Sequence, residues 1–211
     1  MIRTTVRRAL LAGAALTVAL TLSACGGDDH DSPMHDTAGS GTTTAPADGG
    51  PTAGAAPFGD ADVMFAQMMI PHHQQAVEMA DLAATRAADP EVKSLAADIK
   101  AAQGPEIDAM SGWLTTWGRP VPSPGAEMPH MDHAMPGMMS DADMAGLTKA
   151  SGRDFDRKFL TMMIAHHEGA IEMARSETAT GTSPEAKAMA QQIATSQQKE
   201  IALMRGILDR L

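Results

Sequence analysis

Two histidine pairs carry the chemistry this sequence offers. His72 and His73 stand in MMIPHHQQAVEMA (residues 68–80), and His166 and His167 stand in MMIAHHEGAIEMA (residues 162–174). Neutral imidazole ligates Cu(II), Zn(II) and other borderline ions, while thioether sulfur is a soft ligand that selects Cu(I) and, by extension, Ag(I). Met68, Met69 and Met79 surround the first pair at helical spacing, and Met162, Met163 and Met173 surround the second. His72 falls one turn from Met68 and two from Met79, and His73 one turn from Met69. Zinc centres use Cys, His and carboxylate, so the methionine excess argues against zinc. The second copy lacks His-Glu-x-x-His, because Ile171 occupies the place of the second histidine. A di-iron bundle needs Glu-x-x-His on its helices, but Asp81 and Arg175 follow Glu78 and Glu172 at that spacing. No Ser/His/Asp or Cys/His nucleophile arrangement and no phosphate loop is apparent, so an enzyme is not expected.

A second concentration of the same ligand types lies between the pairs. EMPHMDHAMPGMMSDADM (residues 127–144) holds six methionines together with His130 and His133. Pro, Gly and Asp break the segment up, so Met128, Met131, Met135, Met138 and Met139 read as loop methionines with no apolar helix face to fill. They are candidate capture ligands; the alternative is a composition-biased loop resting on the fold. His30, Met34 and His35 echo the pattern near the N-terminus.

The elements that must position these residues are helices. Phe65, Met69, His72, Ala76, Met79 and Ala80 recur at spacings of three and four, placing both histidines on or beside an inward face. Gln67, Gln74, Gln75, Glu78 and Asp81 take the opposite arc. Residues 62–110 match residues 156–204 at a constant offset of 94, with 20 identities in 49 positions and no gap. That is an internal duplication. Within each copy, ADPE and TSPE supply a helix start, with Asp89 or Ser183 as cap and proline in the first turn. Two helical hairpins follow, about 60–117 and about 152–211, joined by a Met/His-rich linker at about 118–150. The simplest assembly is an all-α, up-down-up-down four-helix bundle, in which the two His-bearing helices run parallel and bring four imidazoles to one height. Buried histidines satisfied by backbone carbonyls or by Glu78 and Glu172 are the bland alternative; burying four rings that way demands many compensating hydrogen bonds. Pro71 and the Gly104-Pro105 step fall within helices and are expected to kink rather than end them. Trp113 and Trp117, one turn apart, should close the core near the end of the second helix.

The N-terminus is not part of the fold. Arg3, Arg7 and Arg8 precede the apolar run ALLAGAALTVALTLSA, a signal-peptide pattern too short for a comfortable membrane span. The run ends in LSAC, which resembles a bacterial lipobox and implies cleavage after residue 24 and lipidation of Cys25, giving a protein held on the outer side of the cytoplasmic membrane. An ordinary signal peptide with an incidental cysteine is the alternative. Cys25 is the single cysteine, so disulfides and thiolate clusters within one chain are excluded. Removing residues 1–24 takes three arginines and no acid, moving the formal charge from −10 to −13. Such an acidic chain repels nucleic acid and attracts cations. Residues 25–57, rich in Gly, Thr, Ala, Pro and Asp, read as a disordered tether.

FAQMMIPHHQQAVEMA, MPGMMSDADMAGL and FDRKFLTMMIAHHEGAIEMA resemble the signature of the domain of unknown function 305 family, which includes CopM-like copper-binding proteins. The resemblance covers about residues 58–211. It implies a ferritin-like four-helix bundle, exported, binding Cu(I) or Ag(I) through Met and His in copper tolerance. Carried across by motif, it points to Met68, Met69, His72, His73, Met79, Met162, Met163, His166, His167 and Met173 and to the Met/His linker. The expectation is therefore a copper-sequestering or copper-transferring protein with an unknown delivery partner. Its competitors are a metal-free interaction bundle and, more remotely, a copper oxidase or a sacrificial methionine antioxidant.

Overall fold

The computed structural model describes residues 57–123 and 135–211, and these are helical. The elements are α1 (Asp60–Arg86), α2 (Pro90–Thr116), α3 (Asp141–Lys149), α4 (Gly152–Thr180) and α5 (Pro184–Arg210). The signal-peptide and tether segments, Cys25, and the linker residues Met128, His130, Met131 and His133 lie outside the described residues. Local chemistry sets the hairpin turns as read from sequence. Asp89 accepts from the Glu91 amide at 2.8 Å and Ser183 from the Ala186 amide at 3.2 Å, each followed by proline at the first helical position. Helices α1 and α2 continue through Pro71 and Pro105. Trp113 stacks on Trp117 at 6.0 Å and Trp117 on Phe58 at 4.8 Å, closing the end of α2.

The second hairpin runs opposite to the up-down-up-down expectation. Asp62, near the start of α1, accepts from the amides of Thr182 and Ser183, just beyond the end of α4, at 2.8–3.1 Å. Asp156, near the start of α4, accepts from the amides of Ala88 and Asp89, just beyond the end of α1, at 3.0–3.3 Å. Helices α1 and α4 are thus antiparallel, and the order is up-down-down-up. Arg210 at the end of α5 bonds Asp89 at the start of α2, so that pair is antiparallel too. The physical reason is reach. A helix of 27 residues is about 40 Å long, and the connection over residues 117–151 is long enough to run back along it. A pseudo-two-fold axis across α1 and α4 relates the two hairpins.

That crossover contains a helix the sequence reading treated as linker. Ser140 caps α3 by accepting from the Asp143 amide, and Asp143 returns a bond to the Ser140 amide, a capping box. Leu147 of α3 is fully buried and belongs to an apolar cluster that includes Ala76, Met79, Ala83, Phe155 and Phe159. The apolar core falls into two clusters. One gathers Met79, Ala83, Leu95, Ile99, Phe155, Phe159, Met163 and Met204; the other gathers Phe65, Met69, Ile70, Met110, Leu114, Met173 and Ile193. Between them lies a polar layer. No described helix is long and apolar enough to cross a membrane.

Candidate metal centre

The polar layer contains both histidine pairs. His72 and His73 sit near the middle of α1, and His166 and His167 near the middle of α4. A two-fold through the helix centres brings mid-helix residues together, so antiparallel packing produces the shared layer that parallel packing was expected to give. All four histidines are fully buried, and the rings of His72 and His166 lie 3.7 Å apart between centroids.

Three of the four rings are oriented by an acceptor. His73 Nε2 donates to Glu106 Oε2 at 2.8 Å, and its counterpart His167 Nε2 donates to Glu200 Oε2 at 2.6 Å. His72 Nε2 donates to the carbonyl of Pro136 at 3.0 Å. Because carboxylates and carbonyls only accept, Nε2 must carry the proton in these three rings. In the neutral form Nδ1 is then a bare lone pair. Nδ1 of His72, His73 and His167, and both ring nitrogens of His166, meet no hydrogen-bond partner. Burial, reinforced by His73, pushes His72 down to about 3, against the opposing pull of the Pro136 carbonyl. Burial and the neighbouring histidines hold His166 well below the usual imidazole range. At neutral pH these two rings are in the uncharged, ligating form. A metal-bound histidine whose other nitrogen donates to a carboxylate or carbonyl has the same arrangement, so the residues fit an ion taken by imidazole nitrogen. Among the described residues no three His, Cys, Asp or Glu side chains converge on one point.

The acceptors correct one expectation: Glu78 and Glu172 are exposed, and His73 and His167 are served instead by Glu106 and Glu200 on the neighbouring helices. Gln103 and Gln197 complete the layer, each 2 % exposed, with both side-chain amide atoms of Gln103 and the amide oxygen of Gln197 unpartnered. Gln103/Gln197 and Glu106/Glu200 are matched pairs in the duplication, so the signal was present; what was missing was which neighbour the histidines face.

The methionines divide. Met69 and Met173 are buried in one apolar cluster, Met79 and Met163 in the other, with Met68 and Met162 half-buried at their edges. They flank the histidine layer instead of entering it. Of the linker residues, Met135, Met138 and Met139 are half-buried in a strap laid across the layer. Gln75 grips the strap twice, donating from Nε2 to the Met139 carbonyl at 2.9 Å and accepting from the Met139 amide at 2.8 Å. On the other side, Gly137 (φ +76°) rests on the backbone of α4. A Cβ there would lie 2.5 Å from the Ala165 carbonyl oxygen, and one on Gly169 would lie 1.9 Å from that of Pro136. Gln75 and Gly169 are equivalent positions of the duplication that have diverged to hold one strap from two sides.

The sequence model of the family described as domain of unknown function (DUF305) matches residues 62–208. The chain belongs to the DUF305 family. Solved DUF305 structures are similar along the whole bundle. A Streptomyces coelicolor member, described as a secreted protein, is 38% identical over 71% of this chain and 93% of its own, with a TM-score of 0.65. A Deinococcus radiodurans fragment is 36% identical over 74% and 99%, also at 0.65. CopM in its Cu(I)-bound form is 35% identical over 71% and 96%, at 0.59, and CopM has also been solved with Cu(II) and with silver. Nothing among curated protein sequences matches.

Proposed function

We propose that this DUF305 member is an extracytoplasmic, lipid-anchored copper-binding protein that sequesters or hands on Cu(I), with Ag(I) as an alternative cargo. The observation that carries the reading is the buried layer of four imidazoles with five unpartnered ring nitrogens. Leaving that many polar atoms without partners in a core is unfavourable by about 1–3 kcal/mol for each, and a bound cation relieves it. Monovalent d10 ions accept two or three ligands, so paired imidazoles suit them better than they suit tetrahedral zinc. CopM, with its Cu(I), Cu(II) and silver complexes, supports the same ion class. The half-buried Met135, Met138 and Met139 and the Met/His residues Met128, His130, Met131 and His133 would capture the ion, and the histidine layer would retain it. The signal-peptide pattern and LSAC support Cys25 as the anchor. No catalytic role is assigned.

A metal-free scaffold bundle is the competing reading, and the lack of a three-residue convergence among the described residues is the observation that favours it. An anaerobic Cu(I) competition titration separates the two. The full-length chain is expected to lose its tightest site when His72, His73, His166 and His167 are replaced together by asparagine. Absence of Cu(I) binding by the unmodified chain would establish the scaffold reading, and unchanged affinity in the variant, with helicity retained, would remove the histidine layer as the site.

A further inference from the structure

The duplication creates two equivalent seams between α1 and α4, one toward each end of the bundle, with the histidine layer between them. At the seam toward Asp62, Met64 and Met68 of α1 and Glu172, Met173 and Glu177 of α4 line an open groove of about 270 Å³. Pro136 of the strap lines it too, and the carbonyl of that same residue accepts from His72 Nε2 at 3.0 Å. Met68 stands one turn from His72, so the groove comes within a turn of the layer. All four histidines are fully buried, and nothing reaches them from outside until some part of the structure moves.

The strap is built as a hinged cover. One end is fixed, because Met139 is bonded twice to Gln75 and Ser140 caps α3. The Pro136 end is held to α1 by the single bond from His72. Gly137 lies between the two, at φ +76° and against the backbone of α4, a conformation and a clearance that suit glycine alone. His166, the duplicate of His72, meets no partner on either ring nitrogen. The latch is therefore made by one of the very rings that the strap covers.

We propose that the strap is the gate of the histidine layer: release of the Pro136 carbonyl by His72 opens the layer to the adjoining groove, and a cation on His72 Nδ1 holds the gate shut. The opening is a property of the empty protein, whereas the second half rests on the copper reading. A cation on Nδ1 draws charge from the ring and makes Nε2–H a stronger donor, as charge-assisted bonds are stronger than neutral ones. Filling the site thus tightens the latch. Reciprocity then requires that loosening the strap weaken retention by the same factor.

Gly137→Ala tests the gate, since its Cβ would lie 2.5 Å from the Ala165 carbonyl oxygen and the strap must lift to make room. The metal-free full-length chain is treated with diethyl pyrocarbonate, and carbethoxylation of each histidine is followed by mass spectrometry. The variant should react about ten-fold faster at His72 and His166 than the unmodified chain, with unchanged circular dichroism. Gln75→Ala, which frees the fixed end without a clash, should accelerate the same two residues by a smaller factor. Ag(I) should pass from Gly137→Ala to a competing chelator about ten-fold faster than from the unmodified chain. Equal labelling of His72 in the variant and the unmodified chain would overturn the gate. So would an equal rise at all four histidines, which marks general loosening. Equal Ag(I) dissociation would overturn the coupling. If the four-asparagine variant keeps the tight site, the histidine reading falls, while labelling of the metal-free chain still decides the gate.

Discussion

The two seams between α1 and α4 began as copies and are finished in opposite ways. Toward the Asp156 end, Phe155, Phe159, Met163 and Ala83 share a buried cluster with Leu147 of α3, and the surface there carries an open depression among Asp143, Asp154, Arg157 and Lys158. Toward the Asp62 end no such cover is seen among the described residues, and Met64, Met68, Met173 and Glu177 line the groove. A duplicated chain has two equal seams but one crossover, and one crossover can cover one seam. The matched residues are accordingly those both halves need: the histidines, their Glu106 and Glu200 partners, and the capping aspartates. The divergent residues either seat the crossover, as Gln75 and Gly169 do, or line the seam it leaves bare.

The largest effect should come from forcing the two halves back to equality. Gly169→Gln copies the residue at position 75 and drives a Cβ into the Pro136 carbonyl, which cannot yield without lifting the strap. About 3 kcal/mol of destabilisation is expected, seen as a fall in Tm of roughly 6–12 °C. Gln75→Gly, which removes two hydrogen bonds and places a glycine inside α1, should lower Tm by less. Equal effects would show that the strap is not held asymmetrically.

The capping aspartates give a finer comparison. Asp156→Asn strips the charge from an acceptor of two backbone amides and is expected to destabilise by about 2 kcal/mol in chemical denaturation. Asp62→Asn should be milder by roughly 1 kcal/mol, because it also removes the charge that burdens Glu177. A larger loss for Asp62→Asn would break the assigned coupling between these two carboxyls.

Much of this was legible before any coordinates. Periodicity and the repeat identified both hairpins, their caps and a common histidine layer, because those follow from local backbone chemistry and from which side of a helix is apolar. The direction of the second hairpin was not legible. Short-range patterns fix a helix's inward face but not its neighbour, and the layer forms in either orientation when the histidines are central. The reliance on Glu106 and Glu200 instead of Glu78 and Glu172 was missed for that reason: the first pair sits on the adjoining helix, the second on the histidine's own helix but turned outward. Helix α3 was hidden by the Pro and Gly just upstream, which break the strap but stop short of Asp141.

The pH response should divide between layer and groove. His72 titrates near 3 when folded against about 6.5 unfolded, so the unfolded chain binds more protons in between, and stability falls as pH drops through that window. Glu177 is the reverse. Raised to about 8 from 4.5, it binds its proton in the folded state, so stability falls as pH rises from 4.5 to 8, with a slope approaching about 1.4 kcal/mol per pH unit. Urea denaturation across pH should show Glu177→Gln flattening the upper limb and leaving the acid limb intact. An unaltered upper limb would reassign it.

The smallest effect belongs to Met64→Lys, which copies Lys158 onto an exposed site. Stability should change by no more than about 0.5 kcal/mol. A Tm drop of several degrees would mean that the groove is packed by something the comparison of seams overlooks.

The crossed aspartates have a further consequence. Each half supplies the anion that finishes the other's turn, which is how two identical subunits meet across a two-fold interface. A single hairpin of this sequence would self-associate through those same contacts, and two separately expressed halves should reassemble on mixing. Covalent fusion raised the effective concentration of the partner, and it also ended the obligation to be identical. Gly169 and Glu177 are substitutions that only a fused pair can carry on one side alone.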